Sequence, residues 1–234
     1  MSEPTQDVVA AWFDTTYATK GFRYLRPLAA YPIYLQMLGS RPGQRLLDVA
    51  CGAGLLLKAA AAKQIAATGI DISRQGATLA RDYAKPSSVV VANAERIAFA
   101  DRSFDLVTCI GAIERILDRE KALAEMRRVA KDDARFCFMV RNSETLLWTL
   151  WHRWLGRRNV RGHQDALPLH AWTELFARSG FRVEAVHIDQ WARQKLRYVL
   201  HGLRRPDPTR DENIARPWLP LRFANEFIFL LRKA

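Results

Sequence analysis

The chain has 234 residues, 49% of them hydrophobic, and carries 36 Lys and Arg against 24 Asp and Glu, a formal charge of +12. That length suits one domain with a full core, and no apolar run approaches the roughly 20 residues of a membrane-spanning helix. Three cysteines without a Cys-x-x-Cys pair and five histidines without a His-x-x-x-His argue against disulfides and a metal centre.

Residues 1–19 read as a loose arm with a short helix, and Trp12, Phe13, Tyr17, Phe22 and Tyr24 make this stretch densely aromatic. Pro27 to Leu38 places Leu28, Tyr31, Tyr34, Leu35 and Leu38 on one helical face. Arg41-Pro42-Gly43 then turns the chain into a first strand. There Leu46, Leu47 and Val49 form the short apolar run of a parallel strand covered on both sides. The strand runs out as Asp48-Val49-Ala50-Cys51-Gly52-Ala53-Gly54, in which Gly52 and Gly54 allow a ligand close to the backbone. Helices over Leu55–Lys63 and Gln75–Tyr83, the second capped by Ser73, cover the sheet. Between them a second strand ends in Gly69-Ile70-Asp71-Ile72. Asp71 follows Asp48 by 23 residues, about one strand–helix–strand unit. A carboxylate there can accept hydrogen bonds from both hydroxyls of a ribose. With no G-x-G-x-x-G for a pyrophosphate, the chain reads as one that holds a nucleoside.

Ser88 to Ala92 is a third strand, followed by Asn93-Ala94-Glu95-Arg96-Ile97-Ala98-Phe99. Asp101-Arg102-Ser103 turns into a fourth strand ending at Cys109-Ile110, and Glu114 to Lys131 is helical. Ala134–Arg141 makes a fifth strand, after which residues 142–165 form an insertion rich in Trp and Arg. His170 to Ser179 is helical with Gly180 as its stop, Phe181–Ile188 is a strand, residues 190–222 are basic and Pro-rich, and Ala224–Leu231 is a last strand.

Four of these segments, over about residues 44 to 141, resemble the motifs of class I S-adenosylmethionine-dependent methyltransferases of the ubiquinone/menaquinone-biosynthesis type. The first motif of that family is D-x-G-x-G-x-G. The third strand, its following loop and the turn beyond resemble D-A-E-x-L-P-F-x-D-x-S-F-D-x-V. The helix from Glu114 resembles E-H-x-x-D-x-x-x-A-L-x-E-x-x-R-V-L-K. The departures are Ala50 for the first glycine, Asn93 for the adenine-contacting Asp, Arg115 at the usual His, and Lys131-Asp132-Asp133-Ala134 for K-P-G-G.

The resemblance implies an α/β, Rossmann-like, doubly wound sheet of seven strands, the last antiparallel, with an N-terminal helical arm and a C-terminal cap insertion. The whole chain, 1–234, would be one domain. Its core is about 40–141 plus 170–189 and 223–232, and its cap elements are 1–39, 142–169 and 190–222. The implied cofactor is S-adenosylmethionine. Asp48 and Ala50 would serve the methionine ammonium and the loop, and Gly52 and Gly54 the close approach. Asp71 and Ile72 would meet the ribose, Asn93, Ala94 and Glu95 the adenine, and Cys109 or Ile110 the methionine end.

For the methyl acceptor, the aromatics outside the cofactor motifs point to an apolar or aromatic small molecule, with Tyr17, Phe22, Tyr24, Trp148 and Trp151 as pocket wall. His163, which resembles the His of a family G-H pair and has Asp165 beside it, is the candidate base. Leu147, Trp151, Trp154 and Leu155 share one helical face with Arg153, Arg157 and Arg158 toward the polar side, as suits either a lid or an anionic membrane surface. Residues 141–234 hold 17 Lys and Arg against 9 Asp and Glu, so most surplus charge lies in this part. Arg193, Lys195, Arg197, Arg204 and Arg205 would extend such a surface. A solubilising surface accounts equally well for that charge.

Nucleic acid ranks lower. Amino-methylating enzymes carry [D/N/S]-P-P-[Y/F] after the fourth strand to grip a flipped base, whereas this chain reads Cys109-Ile110-Gly111-Ala112. The competing readings are a tRNA or rRNA methyltransferase and a cofactor-binding protein without transfer activity. With no signal-peptide pattern, the expected location is the cytoplasm, with peripheral membrane contact as an extension.

Overall fold

The computed structural model describes residues 5–145, 165–189, 220–221 and 224–234. Its centre is a seven-stranded sheet in the order β3-β2-β1-β4-β5-β7-β6. The strands are β1 (Arg45–Val49), β2 (Ala66–Asp71), β3 (Ser88–Val91), β4 (Phe104–Ile110), β5 (Ala130–Arg141), β6 (Phe181–Ile188) and β7 (Glu226–Lys233). β1 pairs in parallel with β2 and β4, while β7 runs antiparallel to both β5 and β6. The winding therefore reverses between β1 and β4, and the carboxyl ends of those strands open the crevice where such sheets take ligands. The expected fold class is thus observed.

The elements differ from the sequence reading in ways that have local causes. The arm is a 15-residue helix, α1 (Gln6–Lys20), because the Thr5 hydroxyl accepts from the Val8 amide (3.4 Å) and Gly21 at φ +50° ends it. Pro27 to Leu38 is not one helix. A 3-10 turn over Leu28–Ala30 precedes α2 (Pro32–Met37), with Pro32 at the first helical position, where its missing N–H costs nothing. The helix expected from Glu114 starts only at Arg119, as α5 (Arg119–Val129), because Asp118 caps it by accepting from the Lys121 amide at 3.0 Å. Ala130 is already extended, so β5 follows directly and starts four residues earlier than expected. α3 (Leu55–Ala61), α4 (Arg74–Tyr83) and α6 (Leu169–Arg178) complete the layers.

The two faces of the sheet are packed differently. One is aromatic: Phe136, Phe138, Phe229, Phe181, Trp172 and Phe176 are all buried together. On the other, Ala59 and Ala60 of α3 and Ala77 and Ala80 of α4 keep the helices close to β1 and β2. Gly54, at φ +79°, opens α3, and a Cβ there would sit 2.9 Å from Ala80 Cβ. That tight seam fixes the loop after β1 against the second half of α4. Among the described residues no helix is long and apolar enough to cross a membrane.

Candidate active site

A cavity of about 740 Å³, part of it open to solvent, lies at the carboxyl ends of β1, β2 and β4 and is roofed by α1. Its floor comes from Ala50, from Ile70, Asp71 and Ile72 after β2, and from Ala92, Asn93, Ala94 and Glu95 after β3. Ile110, Gly111, Ala112, Arg115 and Ile116 form the wall after β4, and Gln6, Val9, Phe13 and Tyr17 of α1 form the roof with Tyr24 and Leu25.

Asp71 is buried, and each of its oxygens takes one backbone amide, from Gly52 (2.7 Å) and Ser73 (2.8 Å). Burial raises its carboxyl to about 6, against the lowering effect of those two amides. Each oxygen keeps acceptor capacity beyond its one amide. Asp48 is buried one strand away and accepts from the Thr108 hydroxyl of β4 at 2.7 Å. Burial pushes it up to about 7, while Thr108 draws it down. Two buried carboxyls thus flank the loop, with no arginine or lysine hydrogen-bonded to either among the described residues.

The loop between them is strained in one place. Ala50 stands at φ +57°, a left-handed conformation that glycine adopts freely and alanine does not. A Cβ on Gly52 would sit 2.5 Å from the Tyr17 hydroxyl, so this glycine lets α1 close over the loop. Beyond β3, Asn93 Oδ1 accepts from the Glu95 amide at 2.9 Å, and Glu95 accepts from Asp118 N (3.1 Å) and from the Gln6 side chain.

α1 is tied down along its length. Asp14 accepts from the Ser73 hydroxyl (2.6 Å) and the Gln75 amide (3.0 Å), so it caps the N-terminus of α4 from another helix. Arg115 Cζ lies 5.7 Å from the Trp12 ring and 5.6 Å from the Phe13 ring. Tyr17, buried, meets Tyr24 edge-on at 5.7 Å, and burial raises its hydroxyl well above the usual range.

The cavity therefore gathers Ala50, Asp71, Ile72, Asn93, Ala94, Glu95 and Ile110 with Tyr17 and Tyr24. Asp48, Gly52, Gly54 and Cys109 stand behind or beneath its wall, and burial raises the Cys109 thiol. Phe22 stands apart, 39% exposed and packed on Tyr83 at 4.7 Å, and is not pocket wall. Asp165, set beside His163 in the sequence, pairs its carboxylate with Arg119 at 3.0 Å. Trp148, Trp151, His163 and the basic residues 193–205 lie outside the described residues. Sequence reasoning missed Gln6, Val9, Phe13, Asp14 and Arg115. The spacing of Val9, Trp12, Phe13, Thr16 and Tyr17 at three and four residues was the available signal for α1.

A second buried charged group lies at the start of β7. Arg26 pairs with Asp189 at 2.9 Å and with Glu226, and donates to the Tyr34 hydroxyl at 2.8 Å. Arg141 reaches Glu226 at 3.6 Å and the buried Glu114 at 3.9 Å. Burial and the neighbouring Glu226 hold Asp189 above the usual carboxylate range, with Arg26 opposing them.

The family of methyltransferase domains matches residues 20–186. The chain belongs to that family. It is an S-adenosylmethionine-dependent methyltransferase. It is 30% identical to a ubiquinone biosynthesis O-methyltransferase of Alkalilimnicola ehrlichii over 192 residues, 78% of this chain and 72% of that protein. It is 42% identical to the ubiquinone/menaquinone biosynthesis C-methyltransferase UbiE of Cupriavidus necator, over 40% of this chain and 41% of that one. Among solved structures, magnesium protoporphyrin IX methyltransferase (ChlM) from Synechocystis, with bound SAH, superposes with a TM-score of 0.69 over 98% of this chain and all of that one. At 14% identity that likeness concerns the fold.

Proposed function

We propose that this methyltransferase acts on an O, N or C nucleophile of a small hydrophobic or aromatic metabolite, quinone-like or lipid-like compounds among them, bound beneath α1. The observation that carries this reading is the wall of the cavity. It joins the buried carboxylate of Asp71, with Tyr17 against the loop beside it, to the rings of Phe13 and Tyr24. One end thus has the chemistry of a nucleoside site and the other that of an apolar acceptor site. The names of the Alkalilimnicola and Cupriavidus relatives support the same acceptor class.

Asp71 fits a ribose, because its oxygens are oriented by two amides and retain acceptor capacity. Asn93, Ala94 and Glu95 would border the adenine, and the Ile110 backbone the methionine end. Asp48 would act through the loop, as a buried negative charge one layer beneath the methionine ammonium. S-adenosylmethionine supplies a methyl group on a sulfonium, whose leaving group is a neutral thioether, so no acid is required. The protein's part is then placement and the exclusion of water by α1. A phenol or amine acceptor also needs a base, for which His163 stands as the proposal from sequence.

The test is calorimetric titration with SAM and SAH, then incubation of the protein with a metabolite extract and labelled SAM, with the product identified by mass. The expected product is a labelled apolar small molecule. Label found in RNA, or no binding of either cofactor form, would overturn the reading.

A further inference from the structure

The cavity is uneven in charge. Its carboxylates, Asp71 and Glu95, sit at the ends of β2 and β3, held by backbone amides and by Gln6. Past Ile110 the wall is formed by Gly111, Ala112 and Ile116, with Phe13 of the roof beside them, and among these groups stands Arg115. Within the described residues it is the only Lys, Arg or His in the cavity wall. The rings of Trp12 and Phe13 lie within 6 Å of its guanidinium carbon, close enough for cation–π attraction to fix the group in place. Glu114, buried on the same turn, is drawn toward its charged form by that guanidinium, although burial still leaves it raised.

We propose that this end of the cavity takes an aromatic acceptor carrying an anionic oxygen, a carboxylate or a phenolate, and that Arg115 pairs with that oxygen. The inference rests on the function proposed above and adds the charge of the acceptor to it. An anion without a counterion is excluded from an apolar wall by its desolvation cost. A fixed guanidinium removes that exclusion and adds selectivity, because it is always charged and presents N–H donors in a planar fork that matches an oxyanion. The place of Arg115 in the chain points the same way. The motif that this segment resembles has a histidine there, able to accept a proton at neutral pH. Arginine cannot accept one, so the exchange gives up a base for a permanent positive charge. Phe13 and Tyr24, which meet at 71° with centroids 6.4 Å apart in the same wall, suit a flat acceptor beside the guanidinium.

The test uses matched probes on the full chain, with and without SAH. 2-Naphthoate is compared with 2-naphthylmethanol, and 4-nitrophenol, at a pH where it is ionised, with 4-nitroanisole. Wild type is expected to bind each anion roughly tenfold or more tightly than its neutral twin, the range of a charge-assisted hydrogen bond. Preference for naphthoate alone marks a carboxylate acceptor, and preference for nitrophenolate alone a phenolate. Arg115→Gln should abolish the preference while SAH affinity stays within about twofold, and Arg115→Lys should retain several-fold of it. Trp12→Leu removes one of the two rings that hold Arg115, so it should weaken the anion more than its neutral twin. Equal affinity of wild type for both twins, failure of every probe to bind, or a preference that survives Arg115→Gln would overturn the inference. If SAH does not bind but the anion preference follows Arg115, the proposed function falls and this inference stands.

Discussion

The protein buries two groups of carboxyls, and they are compensated in opposite ways. At the start of β7, Asp189 and Glu226 share the guanidinium of Arg26, with Tyr34 and Arg141 alongside. At the mouth of β1 and β2, Asp48 and Asp71 have a hydroxyl and two backbone amides, with no arginine or lysine of the described residues bonded to them. The first group carries its counterion within the fold, so its work is structural: it ties the chain after α1 to the ends of β6 and β7. The second is left in want of donors and positive charge. Those are what a ribose and an ammonium bring.

The largest effect is expected from removing the counterion. Arg26→Met leaves the buried Asp189 without its counterion and Glu226 with only the longer contact to Arg141, and should destabilise the fold by about 3–5 kcal/mol in urea unfolding. Without Arg26 the Asp189 carboxyl rises further above its unfolded value, so the loss should be greater at pH 8 than at pH 5. Adding Asp189→Asn and Glu226→Gln to the same chain should recover most of it. A small, pH-independent loss would mean that the cluster is already neutral.

Asp71→Ala should cost SAM affinity roughly 2–4 kcal/mol, two hydrogen bonds to a charged group less what water restores. Equal affinity of the variant and wild type in calorimetry would remove Asp71 from the ribose site.

The uncompensated pair also predicts how stability follows pH. Asp48 is raised to about 7 and Asp71 to about 6, both by burial, above their unfolded values near 3.8. The folded protein therefore holds more protons than the unfolded chain between these values. On this account the pair's contribution to ligand-free stability is full below about pH 3.8 and falls as pH rises to 7, while SAM affinity rises over pH 6–7 as the carboxylates ionise. Melting temperatures with and without SAH from pH 5 to 8 measure both trends. Asp48→Asn should flatten the ligand-free curve, and parallel curves with and without SAH would deny the pair any part in binding.

The smallest change concerns the loop beside Asp48. Ala50→Gly relieves about 1–2 kcal/mol of left-handed strain and loses about 0.4–1 kcal/mol to the freer unfolded chain. Stability should therefore stay level or rise by up to about 1.6 kcal/mol, by differential scanning calorimetry. A clear loss would show that the alanine methyl is needed in the cavity wall.

The nucleoside end was legible because its signals are local. Apolar runs, a turn rich in small residues and a carboxylate at strand spacing all fall within residues 45–73. The topology followed from the motifs that this segment shares with a family. The Arg26 cluster was not legible, since Asp189 and Glu226 lie more than 160 residues from Arg26 and no periodicity links a loop arginine to strand ends. α1 was underestimated for a related reason. Its apolar positions face a ligand cavity and another helix, so their spacing looked like scattered aromatics. Phe22 had the right composition and the wrong side: it follows the turn at Gly21 and packs on Tyr83.

Asp14 carries one further consequence. The Gln75 amide at the start of α4 is closed by a carboxylate that belongs to α1, so its hydrogen exchange is slowed while the roof stays down. Its exchange rate is therefore a clock for the opening of the cavity, readable without substrate, label or turnover. Slowing of that clock by SAH would time the escape of the spent cofactor.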